Sequence, residues 1–265
     1  MSIRRKLLAA VLAGVGIVAV AGAAAQAARQ APEAGRLPKV APCQSIKHGT
    51  TEAILTTSNG EAPSGTNPNS TATVKVVKEG VEANLPDANA KALYLEEPAR
   101  ATRVAQIGKL SYRTYQLNAN SVALWSYQLP IDINGGTLQA GDFTTLVYEP
   151  YQDARTIQPN TWQTWDTLRG GAAKWWSTRA LPLVPNGGTQ ASPTPWSTIL
   201  AAYPNATVLA YGIDLGKGTP GAAGRADTLT FGAVTTCVTH EWSTRFDRRS
   251  RHISIFQLWR RWLQR

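Results

Sequence analysis

Between residues 73 and 238 the chain breaks into short runs of apolar and alternating residues, separated by Gly, Pro, Asn and Asp. Leu110-Ser111-Tyr112-Arg113-Thr114-Tyr115 alternates strictly. A period of two sends successive side chains to opposite faces of an extended strand, so such a run has one buried face and one wet face. Further strands are expected at Thr73–Val77, Gly80–Leu85, Ala92–Leu95, Val122–Ile133, Phe143–Glu149, Val208–Ile213, Asp227–Phe231 and Val234–Val238. In the longest of these, Ser126 and Gln128 interleave with apolar residues, and Asn134-Gly135-Gly136 closes it as a turn. One helix is expected, with Thr194 as its cap, Pro195 in the first turn, Trp196 to Tyr203 as its body and Pro204 as its end. Many short strands and little helix imply an all-β fold, a two-sheet antiparallel sandwich with one short helix.

The ends of the chain are of a different kind. Arg4, Arg5 and Lys6 precede an uncharged run from Leu7 to Ala25, followed by the small-residue patterns Ala23-Ala24-Ala25 and Ala25-Gln26-Ala27. This is the layout of an export signal, and it predicts a secreted protein with residues 1–27 removed. The uncharged run is also close to the ~20 residues that span a bilayer, which leaves an uncleaved anchor as the alternative. Arg4-Arg5 partly matches a twin-arginine signal, although Ile3 stands where such signals carry Ser or Thr. Residues 28–71 read as a polar N-terminal linker that holds the first cysteine, with 72–244 as the sandwich domain.

The formal charge of the whole chain is +10, but residues 28–244 carry 17 Lys and Arg against 16 Asp and Glu. A nearly neutral body lacks the basic stripe of a nucleic-acid-binding domain. The excess lies at the ends, above all in residues 245–265, which hold seven arginines and one aspartate. In that tail Phe256, Trp259 and Leu263 recur at helical spacing, with Arg260, Arg261 and Arg265 toward the other side. A basic amphipathic helix of this kind suits an anionic membrane or wall-polymer surface. A solvated end, or a tail translated from a shifted frame, would give the same change in composition.

The two cysteines, Cys43 and Cys237, most simply form one disulfide in an exported protein, with separate free thiols as the alternative. Together with His48, His240 and His252 they show no zinc-ligand spacing. No metal or cofactor is implied.

From residue 110 to 232 the motifs SYRTYQ, DINGG, TTLVYEPYQ, TWQTWDTLRGGAAKWW, PWSTILAAYPNATVLAYGIDLGKGT and GRADTLTFG follow in order. This series resembles secreted actinobacterial domains of the concanavalin A-like (laminin-G/lectin-type) group. The resemblance covers about half the chain. It implies a jelly-roll sandwich, and the wider group includes sugar-binding lectins and β-glucan hydrolases. The hydrolases carry a Glu-x-Asp-x-Glu cluster on one strand, which this sequence lacks. Likeness of fold is an associational argument for function.

Five tryptophans, Trp162, Trp165, Trp175, Trp176 and Trp196, fall within 35 residues. Aromatic faces stack on the apolar face of a pyranose, so this cluster points either to core filling or to a glycan platform. Trp162 and Trp165, and likewise Trp175 and Trp176, should point to opposite faces of their strands. The expected platform combines Trp165 and Asp166 with Lys174, Trp176 and Arg179. The expectation is a non-catalytic module binding an extracellular glycan or wall polymer. A glycan-active hydrolase and an envelope-associated structural protein are the alternatives.

No catalytic residue is assigned. Glycoside hydrolysis needs two carboxylates, for which Asp142, Glu149, Asp166 and Asp214 are the candidates. Glu149, before Pro150, is expected to accept backbone or arginine hydrogen bonds. Gly-x-Ser-x-Gly does not occur. His240 beside Glu241 has no second histidine four residues on and is expected at the surface. Gly212 to Thr219 is one residue short of a phosphate loop and is read as a turn. Asp132 and Asn134 are too few for a calcium site.

Overall fold

The computed structural model describes residues 37–51, 54–57, 71–118, 124–139, 141–216 and 219–246. The export signal and all but the first two residues of the basic tail lie outside these residues. In chain order the strands are β1 (Gln44–His48), β2 (Leu55–Thr57), β3 (Thr73–Val76), β4 (Val81–Leu85), β5 (Lys91–Glu96), β6 (Thr102–Arg103), β7 (Ile107–Gln116) and β8 (Ser126–Asp132). They continue with β9 (Phe143–Tyr148), β10 (Trp162–Asp166), β11 (Lys174–Ser177), β12 (Thr194–Pro195), β13 (Thr207–Val208), β14 (Tyr211–Leu215), β15 (Ala222–Ala233) and β16 (Cys237–Trp242). Helix α1 spans Trp196–Ala202.

These strands form a two-sheet sandwich. In the first sheet the long β15 pairs along one side with β7, and on the other side with β4 and then β16. β3, β1 and β10 extend its edges. The second sheet runs β12-β11-β9-β8-β14-β5-β2, with β13 joining β8 to β6. Among the described strands all pairings are antiparallel except β1 with β16.

That parallel pair corrects the boundary expected at residue 72. β1 lies within the supposed linker yet belongs to the first sheet, and β2 belongs to the second. The segment before β1 also lies on the body. Ala41 N–H donates to Ala233 O, and a Cβ added to Gly108 would stand 1.9 Å from Pro38 O. Cys43 and Cys237 are joined by the expected disulfide, so the covalent link fixes β1 at the start of its pairing with β16.

The core between the sheets is aromatic. Trp125, Trp175, Trp196, Trp242, Tyr94, Tyr112, Tyr127, Tyr148, Tyr211 and Phe231 are fully buried. Rings of this size bury ~150–250 Å² each, which corresponds to roughly 4–6 kcal/mol of transfer free energy before entropy is counted. Their polar atoms tie the two layers together. Tyr127 Oη donates to Thr230 O at 3.0 Å, and Trp125 Nε1 donates to Gly224 O at 3.1 Å.

His240 is not at the surface but fully buried. Its ring nitrogens meet Tyr211 Oη at 2.8 Å, Tyr94 Oη at 3.0 Å and His48 Nε2 at 3.0 Å. The reason is its parity on β16, which it shares with Trp242 and which points into the sandwich. The helix cap also differs from expectation. Thr194 pairs with Trp175 in the sheet, and Pro195 takes the N-cap position without a side-chain bond.

Candidate functional site

Each sheet turns one face away from the core. On the first sheet a straight cross-strand row runs Lys75, Glu82, Arg225, Tyr115, Trp162. Glu82 takes Lys75 at 2.8 Å and Arg225 at 2.7 Å, and these cations hold its carboxyl below the usual range although burial opposes them. The Arg225 guanidinium lies 5.3 Å from the Tyr115 ring centre, and Arg113 lies 4.3 Å from that of Trp162 while also pairing with Asp227. The charged groups of this row bind one another, and the row reads as a staple across five strands.

The outer face of the second sheet is different. Alternation along β8 sends Tyr127, Leu129 and Ile131 into the core and Ser126 and Gln128 outward. β14 likewise turns Ile213 inward and Gly212 and Asp214 outward. On β11, Trp175 is fully buried against Tyr148 and Trp196, with its Nε1 donating to Thr167 O at 2.7 Å. Its neighbour Trp176 therefore faces outward and is half-buried. The start of β11 is held by buried Asp153, which accepts Lys174 N–H, the Arg169 guanidinium and the Tyr148 hydroxyl.

The ladder aligns these outward residues in two rows. Trp176 stands opposite Val147, which pairs with Gln128, which pairs with Gly212. Glu149 follows Tyr148, the partner of Tyr127, so it stands beside Ser126, which pairs with Asp214. Trp176 Nε1 donates to Glu149 Oε2 at 2.7 Å, and Gln190 Nε2 lies 3.4 Å from the same oxygen. Gln128 Nε2 donates to Ser126 Oγ at 2.8 Å, and Ser126 Oγ donates to Asp214 O at 3.0 Å. Lys91 pairs with Asp214 Oδ2 at 2.9 Å. Asp214 Oδ1 is buried and meets no hydrogen-bond donor among the described residues. A Cβ at Gly212 would stand 1.8 Å from Tyr94 O and 2.9 Å from Leu95 Cδ2, so the strand admits only glycine there.

Both carboxyls titrate above their ordinary range. Burial raises Glu149, the bonds from Trp176, Gln190 and Tyr151 oppose it, and the charge of Asp214 adds to the rise. Burial raises Asp214 against the pull of Lys91. Glu149 thus takes an indole and amide donors rather than the backbone or arginine bonds expected. No group of three or more His, Cys, Asp or Glu that could hold a metal ion occurs among the described residues.

The structure divides the expected platform. Trp165 is on β10 of the first sheet, 3% exposed, with Nε1 donating to Thr114 Oγ1 at 2.8 Å. It is a core residue, reaching the surface only at its edge in a shallow depression shared with Arg155, Thr156, Gln163 and Thr164. Asp166, next to it, is exposed and accepts the N–H groups of Leu168 and Arg169. Lys174 and Arg179 are exposed and flank Trp176, with Arg179 Nη1 donating to Phe143 O at 3.2 Å. Trp165 and Asp166 therefore do not join Trp176.

Of the four candidate carboxylates, only Glu149 and Asp214 share the Trp176 face. Asp142 accepts Asn134 Nδ2 at 2.7 Å, and Asp132 caps the turn at Asn134 and Gly135. Sequence reading did not assign Gln190, Tyr151, Ser126 and Gln128 to a site. The polar residues interleaved in β8 were the available signal, but they do not say which face is outward. No protein-family model matches the chain, and no curated protein or solved structure does.

Proposed function

We propose that this chain is a secreted, non-catalytic binding module that recognises a glycan or wall polymer on the outer face of its second sheet. The observation that carries the reading is the fixed, half-exposed indole of Trp176, anchored at Nε1 by Glu149. An indole held by its edge presents its faces to an apolar sugar ring at little entropic cost, while polar groups beside it take the hydroxyls. Exposed Gln190 and half-buried Tyr151 supply such groups. The Cys43–Cys237 disulfide is compatible with the oxidising compartment that the export signal implies. A glycan array probed with the intact protein and with Trp176→Ala tests the reading. Binding lost in the variant supports it, and binding indifferent to the change removes it.

The raised carboxyls of Glu149 and Asp214, on one face and separated by one strand, favour a second reading as a glycan hydrolase. Such an enzyme would lose turnover in both Glu149→Gln and Asp214→Asn while still binding its substrate. Reducing-end release from a panel of polysaccharides separates the two readings.

A further inference from the structure

We infer that a second site lies at the edge of the first sheet, where the depression between β10 and the 154–156 loop takes a saccharide unit bearing a carboxylate or phosphate, its anion on Arg155. This site stands apart from Trp176 and does not depend on the reading above. Its first support is shape. Ala154, Arg155 and Thr156 on one side, and Gln163, Thr164 and Trp165 on the other, frame about 410 Å³. That lies within the ~300–1,000 Å³ of small-ligand sites. Ala154, Arg155, Thr156 and Thr164 are exposed, so the space is open to solvent.

The second support is that the walls are fixed before any ligand arrives. Gln163 Nε2 donates to Thr156 O at 2.9 Å, and Gln163 Oε1 accepts Gln158 N–H at 2.7 Å, which stitches the loop to β10. Just ahead of the depression the chain is wound into a turn. There Ala154 N–H donates to Tyr151 O and Arg155 N–H to Pro150 O, with Ala154 at φ 54°. Asp153 fastens that turn through Lys174 N–H, the Arg169 guanidinium and the Tyr148 hydroxyl. A site with its backbone already set loses little ordering entropy on binding.

The lining decides the class of ligand. Arg155 is its one charged side chain, and no acid lines the depression. Asp153 is 4% exposed and committed to Arg169, and Asp166 accepts the N–H groups of Leu168 and Arg169. Arg155 therefore has no ion-pair partner among the described residues. A guanidinium is a planar fork that meets a carboxylate or phosphate with two parallel bonds. The exposed hydroxyls of Thr156 and Thr164 each donate and accept, as the hydroxyls of a sugar do. Trp165, held by its bond to Thr114 Oγ1, adds an apolar edge. A neutral sugar leaves the guanidinium unmatched, and a bare anion leaves the hydroxyls and the indole unused.

Calorimetric titration of the full chain with trigalacturonate, galactotriose, glucose 6-phosphate and inorganic phosphate tests this. At least one of the two acidic sugars should bind at least about tenfold tighter than galactotriose and than inorganic phosphate. Trigalacturonate alone would assign the carboxylate, and glucose 6-phosphate alone the phosphate. Arg155→Ala should weaken that binding at least about tenfold, and Arg155→Lys should restore only part of it, because lysine keeps the charge but not the fork. Trp176→Ala should leave it within about twofold, which separates this site from the outer face of the second sheet. Galactotriose binding as tightly as the acidic sugars, or acidic-sugar binding unchanged in Arg155→Ala, overturns the inference. Inorganic phosphate binding as tightly as either acidic sugar overturns the saccharide, and no binding by any of the four overturns the site while leaving the Trp176 reading to its own array.

Discussion

The indole nitrogen of Trp176 donates to Glu149 Oε2 across the β11–β9 pair at 2.7 Å, while the adjacent Trp175 is sealed in the core by its bond to Thr167 O. Two neighbouring tryptophans thus do opposite work, one holding the sheets together and one facing outward. The same division separates Trp165 from Trp162 on β10.

Truncating the buried member of a pair should cost stability, and truncating the exposed one should cost binding. Trp165→Ala is expected to lower unfolding free energy by about 3–5 kcal/mol, the usual cost of a large core aromatic. Trp176→Ala should lower it less, because that ring is only partly buried. Urea denaturation of both variants checks this. A milder effect for Trp165→Ala than for Trp176→Ala would contradict the assignment of faces.

The raised carboxyl of Glu149 makes a signed prediction about pH. The folded protein holds this proton more tightly than the unfolded chain, whose ordinary value is 4.5. The resulting stability is fully present below that value and is lost as pH rises through the folded one. Glu149→Gln keeps an acceptor for Trp176 but cannot ionise. The variant should therefore gain stability relative to the native chain as pH rises above 4.5. A difference that does not change with pH would show that burial does not perturb Glu149.

Cys43 and Cys237 are 194 residues apart in sequence. Opening so long a loop should cost about 5 kcal/mol by the chain-entropy argument. The loss should appear first at β1, whose sheet neighbour is β16. Hydrogen exchange of the reduced protein is expected to show protection falling at 44–48 ahead of β7 and β15. Uniform loss across both sheets would mean that β1 is not a separable edge.

Tyr211 Oη meets His240 Nε2 at 2.8 Å while its ring stacks on Phe231 at 4.4 Å between centres. Tyr211→Phe removes the first contact and preserves the second. A loss of about 1–3 kcal/mol is expected from thermal or chemical unfolding. No loss would mean that the buried histidine network contributes nothing net.

The strand period of β7 was legible because one of its faces is buried and the other partly exposed, which writes alternation directly into the residues. β1 was not. Its Gln44-Ser45-Ile46-Lys47-His48 is polar, and its place comes from a disulfide and a parallel partner some two hundred residues away. His240 was misread for the same reason, since Thr239, His240 and Glu241 look wet until Tyr94 and Tyr211 arrive from the other sheet. For the site, alternation shows that Trp162 and Trp165 diverge, and that Trp175 and Trp176 do. Which member faces outward depends on the strands above and below. The outward row Glu149, Ser126, Asp214 comes from three strands and exists only once the sheet has paired.

The most direct test is a glycan array read side by side with the intact chain, Trp176→Ala and Trp162→Ala. The two variants remove the half-buried indole from the second and first sheets respectively. The account predicts that some glycan binds, that Trp176→Ala abolishes its capture, and that Trp162→Ala leaves it intact. Capture that survives Trp176→Ala, or that is lost only with Trp162→Ala, would place recognition elsewhere and contradict it.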